Sequence, residues 1–324
     1  MANEMLWTTQ SGYLSNNELS MEFARVAQPR FRFRQFNETK MAFGKHSGQS
    51  VNWLKVSNLG TYGGLLTETQ TMHEATQPLA WGTMSVNEYG LSVPFTFKVE
   101  ALSKFDVMEI MKGSLLDDKV KVIEGVIERE YNSTLLRYVG TTTAGYALTT
   151  NGTATATNTS VLNLYHVRKI VNELKKRNVP SAKNSGGDYA AILSIEAFES
   201  LNGAMESVNQ YTEEGYKKIL NGEQGRVYGC RFVEDTWASR NTFDSTARTA
   251  TAVSWTGAQS GPAYFFGGPT VREAVVVPEE IRMKVTTDYG RSKGIGWYGI
   301  LGFKIEWDTS GGADSRIIKW DSAA

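Results

Sequence analysis

One stretch limits what this chain can fold into more than any other: Ser114 to Val139, SLLDDKVKVIEGVIEREYNSTLLRYV. Leu116, Val120, Ile123, Ile127, Tyr131 and Tyr138 recur at three-, four- and seven-residue steps, which is one stripe of a helix. Val122 and Val126 widen the stripe, while Lys119, Lys121, Glu128 and Glu130 fall off its centre. Gly113 punctuates the start, and Ser114 with Asp117 reads as a capping box for the amides of the first turn. Gly140 supplies a stop. About 25 residues at ~1.5 Å rise make a rod roughly 37 Å long, about twice the usual helix. Without a sustained heptad seam, such a rod is predicted to lie as a beam under a broad sheet. That constrains architecture and leaves chemistry open.

Ahead of the beam, residues 25–45 carry Arg25, Arg30, Arg32, Arg34, Lys40 and Lys45 against Glu38 alone. Arg30 to Phe36 (RFRFRQF) alternates cation and ring, so an extended segment would put charges on one side and rings on the other. Two readings of those arginines stay open. They form an arm that lies on polyphosphate and gains affinity by counterion release, or an amphipathic strand whose arginines are solvated or paired. Strands are predicted at Val51–Val56 and Trp81–Phe97, joined by a polar connection with Gly60, Gly63 and Gly64 as breakers. Two strands so far apart suggest a long hairpin projecting from the body, with faces that need a partner. A short helix is predicted from Ser103 to Met111.

After the beam, residues 140–160 are rich in Thr, Ala and Gly and read as a loop and candidate hinge. A mixed unit follows. Its helices are predicted over 161–177 (stopped by Pro180), through Glu196, Phe198 and Leu201, and from Glu213 to Leu220. Its strands are predicted at Tyr189–Ser194, Gly225–Glu234, Ala263–Phe266 and Ala274–Val277, with a surface loop over 237–262. The tail returns to strand at Ile281–Thr286, Ile295–Trp307 and Ile317–Ile318. The fold class is α+β.

Catalytic chemistry is hard to find. Gly294-Ile-Gly296-Trp-Tyr-Gly299 matches a dinucleotide fingerprint in spacing, but β-rich residues follow it where a helix is required. Glycines along a closely packed strand explain it better. His46, His73 and His166 share no ligand spacing, and lone Cys230 reads as a small buried hydrophobe. Asp117 and Asp118 are adjacent on a helix, point apart, and would complement its N-terminus. Lys plus Arg and Asp plus Glu both number 34, so the whole chain is not a nucleic-acid binder by charge, and neutrality favours a protein that associates. The N-terminal residues show no secretory signal, and no run of about 18 apolar residues argues for a membrane span.

In order, the chain reads as basic arm, long hairpin, beam helix, α/β unit and β return. That order resembles the major capsid proteins of tailed bacteriophages, the Johnson or Hong Kong ninety-seven fold. Val26–Pro29 (VAQP) leading to Phe43–Gly48 (FGKHSG), Leu66–Glu68 (LTE) and Gly222–Glu234 (GEQGRVYGCRFVE) look like stretches of the N-four-type podophage capsid family. The resemblance implies an N-terminal arm over 1–45 and an E-loop over 46–100 that lies on a neighbouring subunit. It implies a P domain over 101–159 with the long helix as spine, an axial A domain over 160–280, and P-domain return strands over 281–324. It further implies E-loop contacts at Trp53, Glu68 and Trp81, and packaged double-stranded DNA on the inner face near Arg25, Arg30, Arg32 and Arg34. No catalytic, cofactor or metal site is expected, and no membrane. Partners would be sister copies in hexamers and pentamers, a portal, a separate scaffolding protein and a candidate decoration protein. The protein would reside in the virion after assembly in the host cytoplasm. Two rivals are an encapsulin-like nanocompartment shell and an α/β enzyme with an unrecognised site.

Overall fold

The computed structural model describes residues 32–41, 48–59, 63–153, 160–182, 186–201, 226–235, 241–244, 249–252, 261–307 and 314–320. The beam is present but displaced: helix α2 spans Val107–Asn132 rather than 114–139. Its cap is Asp106, whose Oδ1 accepts from the amides of Met108 (2.9 Å) and Glu109 (3.2 Å). Ser114 therefore caps nothing; it lies inside the helix and its hydroxyl donates to the Ile110 carbonyl at 3.2 Å. Gly113 is a buried mid-helix residue. The shift has a geometric cause. Val107, Met111, Leu115, Ile123, Ile127 and Tyr131 are the buried apolar positions, separated by multiples of four. Each four-residue step advances about 40° beyond a full turn, so the contact seam winds around the rod. A straight stripe drawn through Leu116 and Val120 follows the wrong side, and both are exposed. In place of the short helix expected at 103–111, helix α1 covers Phe97–Leu102, capped by Thr96 and ended at Ser103.

Two sheets flank α2. The first has the order β1-β13-β14-β4, from Glu38–Met41, Val271–Met283, Ser292–Ile305 and Asn87–Thr96. One of its faces meets α2: Val275, Leu301, Phe303 and Ile305 pack with Ile123, Ile127 and Tyr131, and Ile295 and Trp297 pack with Val107, Met111 and Leu115. The opposite face, through Ala274, Val276 and Ile300, receives the hairpin of β2 (Ser50–Val56) and β3 (Leu79–Ser85). The strand expected at Ala274–Val277 and the one at Ile281–Thr286 are a single strand, β13, with irregularities in register between Val275 and Glu280.

The second sheet has seven strands in the order β6-β5-β15-β12-β7-β9-β8. These are Tyr146–Thr149, Leu136–Gly140, Ile317–Trp320, Ala263–Phe266, Tyr189–Leu193, Cys230–Glu234 and Arg226–Val227. Helix α3 (Leu164–Lys176) covers one face through Val167, Ile170, Val171 and Leu174. Ala190, Ile192, Tyr264, Phe266 and Ile317 turn the other face toward α2. Being covered on both sides, the central strands read as unbroken apolar runs, YAAIL and AYFF, rather than alternating ones. This pairing cuts across the boundaries expected at 159/160 and 280/281. Leu136–Gly140 and Ile317–Trp320 join the α/β unit, while Val271–Met283 belongs to the sheet on the spine.

Smaller departures are local. Residues 136–139, expected to continue the helix, belong with Gly140 to β5. Residues 225–234 do not make one strand: Tyr228 (φ 54°) and Gly229 (φ 74°) close a two-residue hairpin between β8 and β9. Within the loop expected at 237–262, Asn241–Asp244 and Thr249–Ala252 pair as β10 and β11. The helix expected at Glu213–Leu220 lies outside the described residues. Gly296 stands in β14, where an added Cβ would come within 2.9 Å of the Leu91 carbonyl oxygen; close strand approach, not phosphate, requires that glycine.

Candidate assembly surface

The β2–β3 hairpin pairs Ser50 with Ser85 and Val56 with Leu79. Its two-residue period sorts the side chains cleanly. Val51, Trp53, Lys55 and Met84 face the body, whereas Leu54, Val56, Leu79 and Trp81 face outward, Trp81 at 72 % exposure. Trp53, expected at a subunit contact, is instead 6 % exposed within its own subunit. Arg272 lies 5.3 Å over its ring, and Gly82 leaves the space that the indole fills. Odd positions of β2 and, across the pairing of Trp53 with Gly82, even positions of β3 face inward, which is why Trp53 and Trp81 have opposite fates. Beyond the strands, the connection bears exposed Leu65 (96 %), Leu66 and Met72, with Glu68 exposed among them. One side of the hairpin is thus anchored and the other is an apolar surface without cover in the described chain.

The root of the N-terminal arm is held by carboxylates. The alternating segment is not extended: Arg34–Phe36 is a 3-10 turn. That turn brings Phe33 and Phe36 to the same side. Phe33 sits edge-on to Tyr131 (5.2 Å) and Tyr264 (5.6 Å), and Phe36 to Phe266 (5.0 Å). Glu124, on α2, accepts from the amides of Phe33 (3.1 Å) and Arg34 (3.2 Å), and Asp235 accepts from that of Arg32 (3.1 Å). Nothing in the sequence pattern announced this clamp; the one signal was that Glu124 and Glu128 sit beside Ile123 and Ile127 on the buried flank.

Of the arginines expected to face nucleic acid, Arg25 and Arg30 lie outside the described residues, and Arg32 is exposed. Arg34 has another occupation. Its guanidinium reaches Oε1 of Glu273, a fully buried carboxylate, at 2.6 Å and Glu279 at 2.7 Å. The Glu273 contact is a two-pronged hydrogen bond, and the Glu279 contact is ionic without good hydrogen-bond alignment. Burial pulls the Arg34 pKa down, but the two carboxylates more than reverse it, so the group stays charged. Its cation is committed inside the subunit.

Burial, followed by the nearby Asp235 charge, pushes Glu124 from its ordinary 4.5 up to about 7, although the two amides and Arg34 oppose the rise. A carboxylic acid with a raised folded-state value binds its proton more tightly in the fold than in the unfolded chain. Stability contributed by Glu124 is therefore full below about pH 4.5 and declines as pH climbs toward 7. The decline should reach about 3 kcal/mol. Melting of the wild type and of Glu124→Gln, compared from pH 5 to 8, checks this: the variant should gain relative stability as pH rises. A gap independent of pH would mean that Glu124 is ionised throughout.

Other titratable groups are structural. His166 is buried; its Nε2–H can donate to the Thr142 carbonyl (3.1 Å), leaving Nδ1 to accept from the Tyr138 hydroxyl (3.1 Å), and burial lowers its pKa. Burial pushes the Cys230 thiol far up, away from nucleophilic use. Asp118 stands mid-helix, not at an N-terminus, and its Oδ2 accepts from Trp297 Nε1 at 3.0 Å. Among the described residues no group of three or more His, Cys, Asp or Glu could hold a metal, and no helix is long and apolar enough to cross a membrane.

No protein-family model and no curated protein matches the chain. Solved structures do. A chain of the cyanophage Pam1 capsid asymmetric unit is similar at TM-score 0.66 and 17 % identity, over 99 % of this chain and 98 % of that one. The head structure of Helicobacter pylori bacteriophage KHP40 gives 0.66 and 13 % over 94 % of both chains. The acid-stable capsid of Helicobacter pylori bacteriophage KHP30 gives 0.65 and 14 % over 99 % of both. The chain has the phage capsid fold. At such low identities the capsid fold is carried by the order of layers and strands, not by shared residues. It spans the chain from end to end, so arm root, hairpin, spine and both sheets belong to one architecture.

Proposed function

We propose that this protein is a major capsid (coat) subunit. It assembles into pentamers and hexamers of an icosahedral phage head that encloses double-stranded DNA. The observation that carries the reading is the match over nearly the whole chain to subunits of several phage capsids. The hairpin supplies the physics: an anchored inner face and a bare outer one make part of each subunit's apolar burial available only from a neighbour. Closed shells follow when one such contact repeats around symmetry axes. Trp81 and Glu68 are the hairpin residues we place at that contact. The role is structural rather than enzymatic. A portal, a separate scaffolding protein and a decoration protein are the expected partners, with assembly in the host cytoplasm and residence in the virion. Arg25, Arg30 and Arg32 are the candidates for genome contact within the arm.

Negative-stain micrographs of purified full-length protein test the proposal. Shells, rings or curved sheets are expected as concentration rises; a monodisperse monomer at high concentration would overturn it.

A further inference from the structure

Helix α3 lays Val167, Ile170, Val171 and Leu174 on the seven-stranded sheet and leaves its opposite side in solvent. At about 100° per residue, Lys175, Arg168, Asn172, Tyr165, Lys176 and Lys169 fall within an arc of about 120° on that open side, and the four cations, from Arg168 to Lys176, span about 12 Å of axis. The arc holds cations and no acid, in a chain whose 34 basic and 34 acidic residues balance overall. Glu173 lies beyond its edge and is taken by Arg177 at 3.0 Å, with Lys176 3.9 Å away. Arg168, Lys169 and Lys175 form no ion pair among the described residues; Arg168 and Lys169 instead stand 5.7 and 5.3 Å over the Tyr165 ring. The helix dipole accounts for Lys175 and Lys176 in the last turn. It gives no reason for Arg168 and Lys169 in the first half, where positive charge gains nothing.

We infer that this face is a polyanion-binding surface for the phosphate backbone of duplex DNA. The face is convex and has no apolar anchor beyond Tyr165, so it suits a uniformly charged rod better than a folded partner with side chains to seat. Duplex DNA carries about one charge per 1.7 Å, so 12 Å of it presents about seven phosphates to these four cations. The inference rests on the capsid reading: α3 would be part of the wall turned to the genome.

The test uses full-length protein and a fluorescent random-sequence duplex of about 30 base pairs, with binding followed by anisotropy from about 0.05 to 0.3 M salt. In the variant Arg168→Gln, Lys169→Gln, Lys175→Gln, Lys176→Gln the slope of log K against log salt should shrink by about 3–4, at ~0.9 per cation. Its melting temperature should stay close to that of the wild type. Arg168→Gln with Lys169→Gln alone should remove about half as much, which keeps the test sharp if the larger variant misfolds. An unchanged slope overturns the inference. So does tighter binding of polyglutamate than of duplex DNA at equal charge concentration and equal salt, because the face would then belong to an acidic protein. Micrographs of the same samples separate the two failures: no wild-type shells sinks the capsid reading, whereas normal shells with an unchanged slope sink the DNA face alone.

Discussion

Arg34→Met is expected to destabilise the subunit by about 3–5 kcal/mol, the largest loss from any single polar substitution described above. The cost does not come from the arginine's own exposure. It comes from Glu273, which has no exposed side-chain surface and would lose the guanidinium that its carboxylate meets at 2.6 Å. Glu279, nearly as buried, would lose the same partner. Removing the carboxylate as well tells the two origins apart. Arg34→Met with Glu273→Leu should recover part of the stability, because a buried pair replaced by packed apolar groups is close to neutral, while the loss at Glu279 remains. Denaturant melts of the wild type, the single variants and the double variant form the cycle. An additive result, with no recovery in the double variant, would mean that Arg34 contributes by packing its stem and not by pairing.

The second large effect concerns assembly. Leu54→Glu combined with Trp81→Glu should leave the subunit folded, since both side chains project from the outer face of the hairpin. If a neighbour covers those two side chains, as proposed, the burial would contribute about 3–6 kcal/mol per contact. Its loss should raise the concentration needed for assembly about 100-fold or more. Trp53→Ala should do the opposite. It empties the space between the hairpin and Arg272, lowers the melting point by an amount equivalent to about 3 kcal/mol, and leaves the outer face intact. Light scattering against concentration, paired with thermal melts, distinguishes the two. If the outer-face variant assembles normally, the hairpin is not the contact.

Much of this architecture was written in short-range pattern. The alternation of Val51 to Val56, the apolar runs at Tyr189 and Ala263, and the helix stopped before Pro180 each declare themselves through period or composition. What stayed hidden depends on partners far along the chain. The position of α2 was obscured because its seam follows two differently placed sheets in succession, and no single stripe describes both. The strand at Leu136–Gly140 reads locally as more helix; only its pairing with Ile317–Trp320 decides otherwise. The capsid fold was legible in the order of elements. The hairpin was legible in its two strands, but which of Trp53 and Trp81 faces outward depends on how β2 meets β13 and β14. The fate of Arg34 could not be read at all, since its two carboxylates lie more than 230 residues away in sequence.

Strand β15 has a consequence for the order of events in the cell. It lies between β5 and β12, in the interior of the seven-stranded sheet, yet it is translated after every other strand described. While the ribosome is still at work on it, Leu136–Gly140 and Ala263–Phe266 are two unfilled edges that nothing upstream can join. The nascent chain is therefore barred from finishing its core until Trp320 has emerged. Synthesis itself thus times the closing of this sheet, strand by strand, with the last-made strand as its keystone.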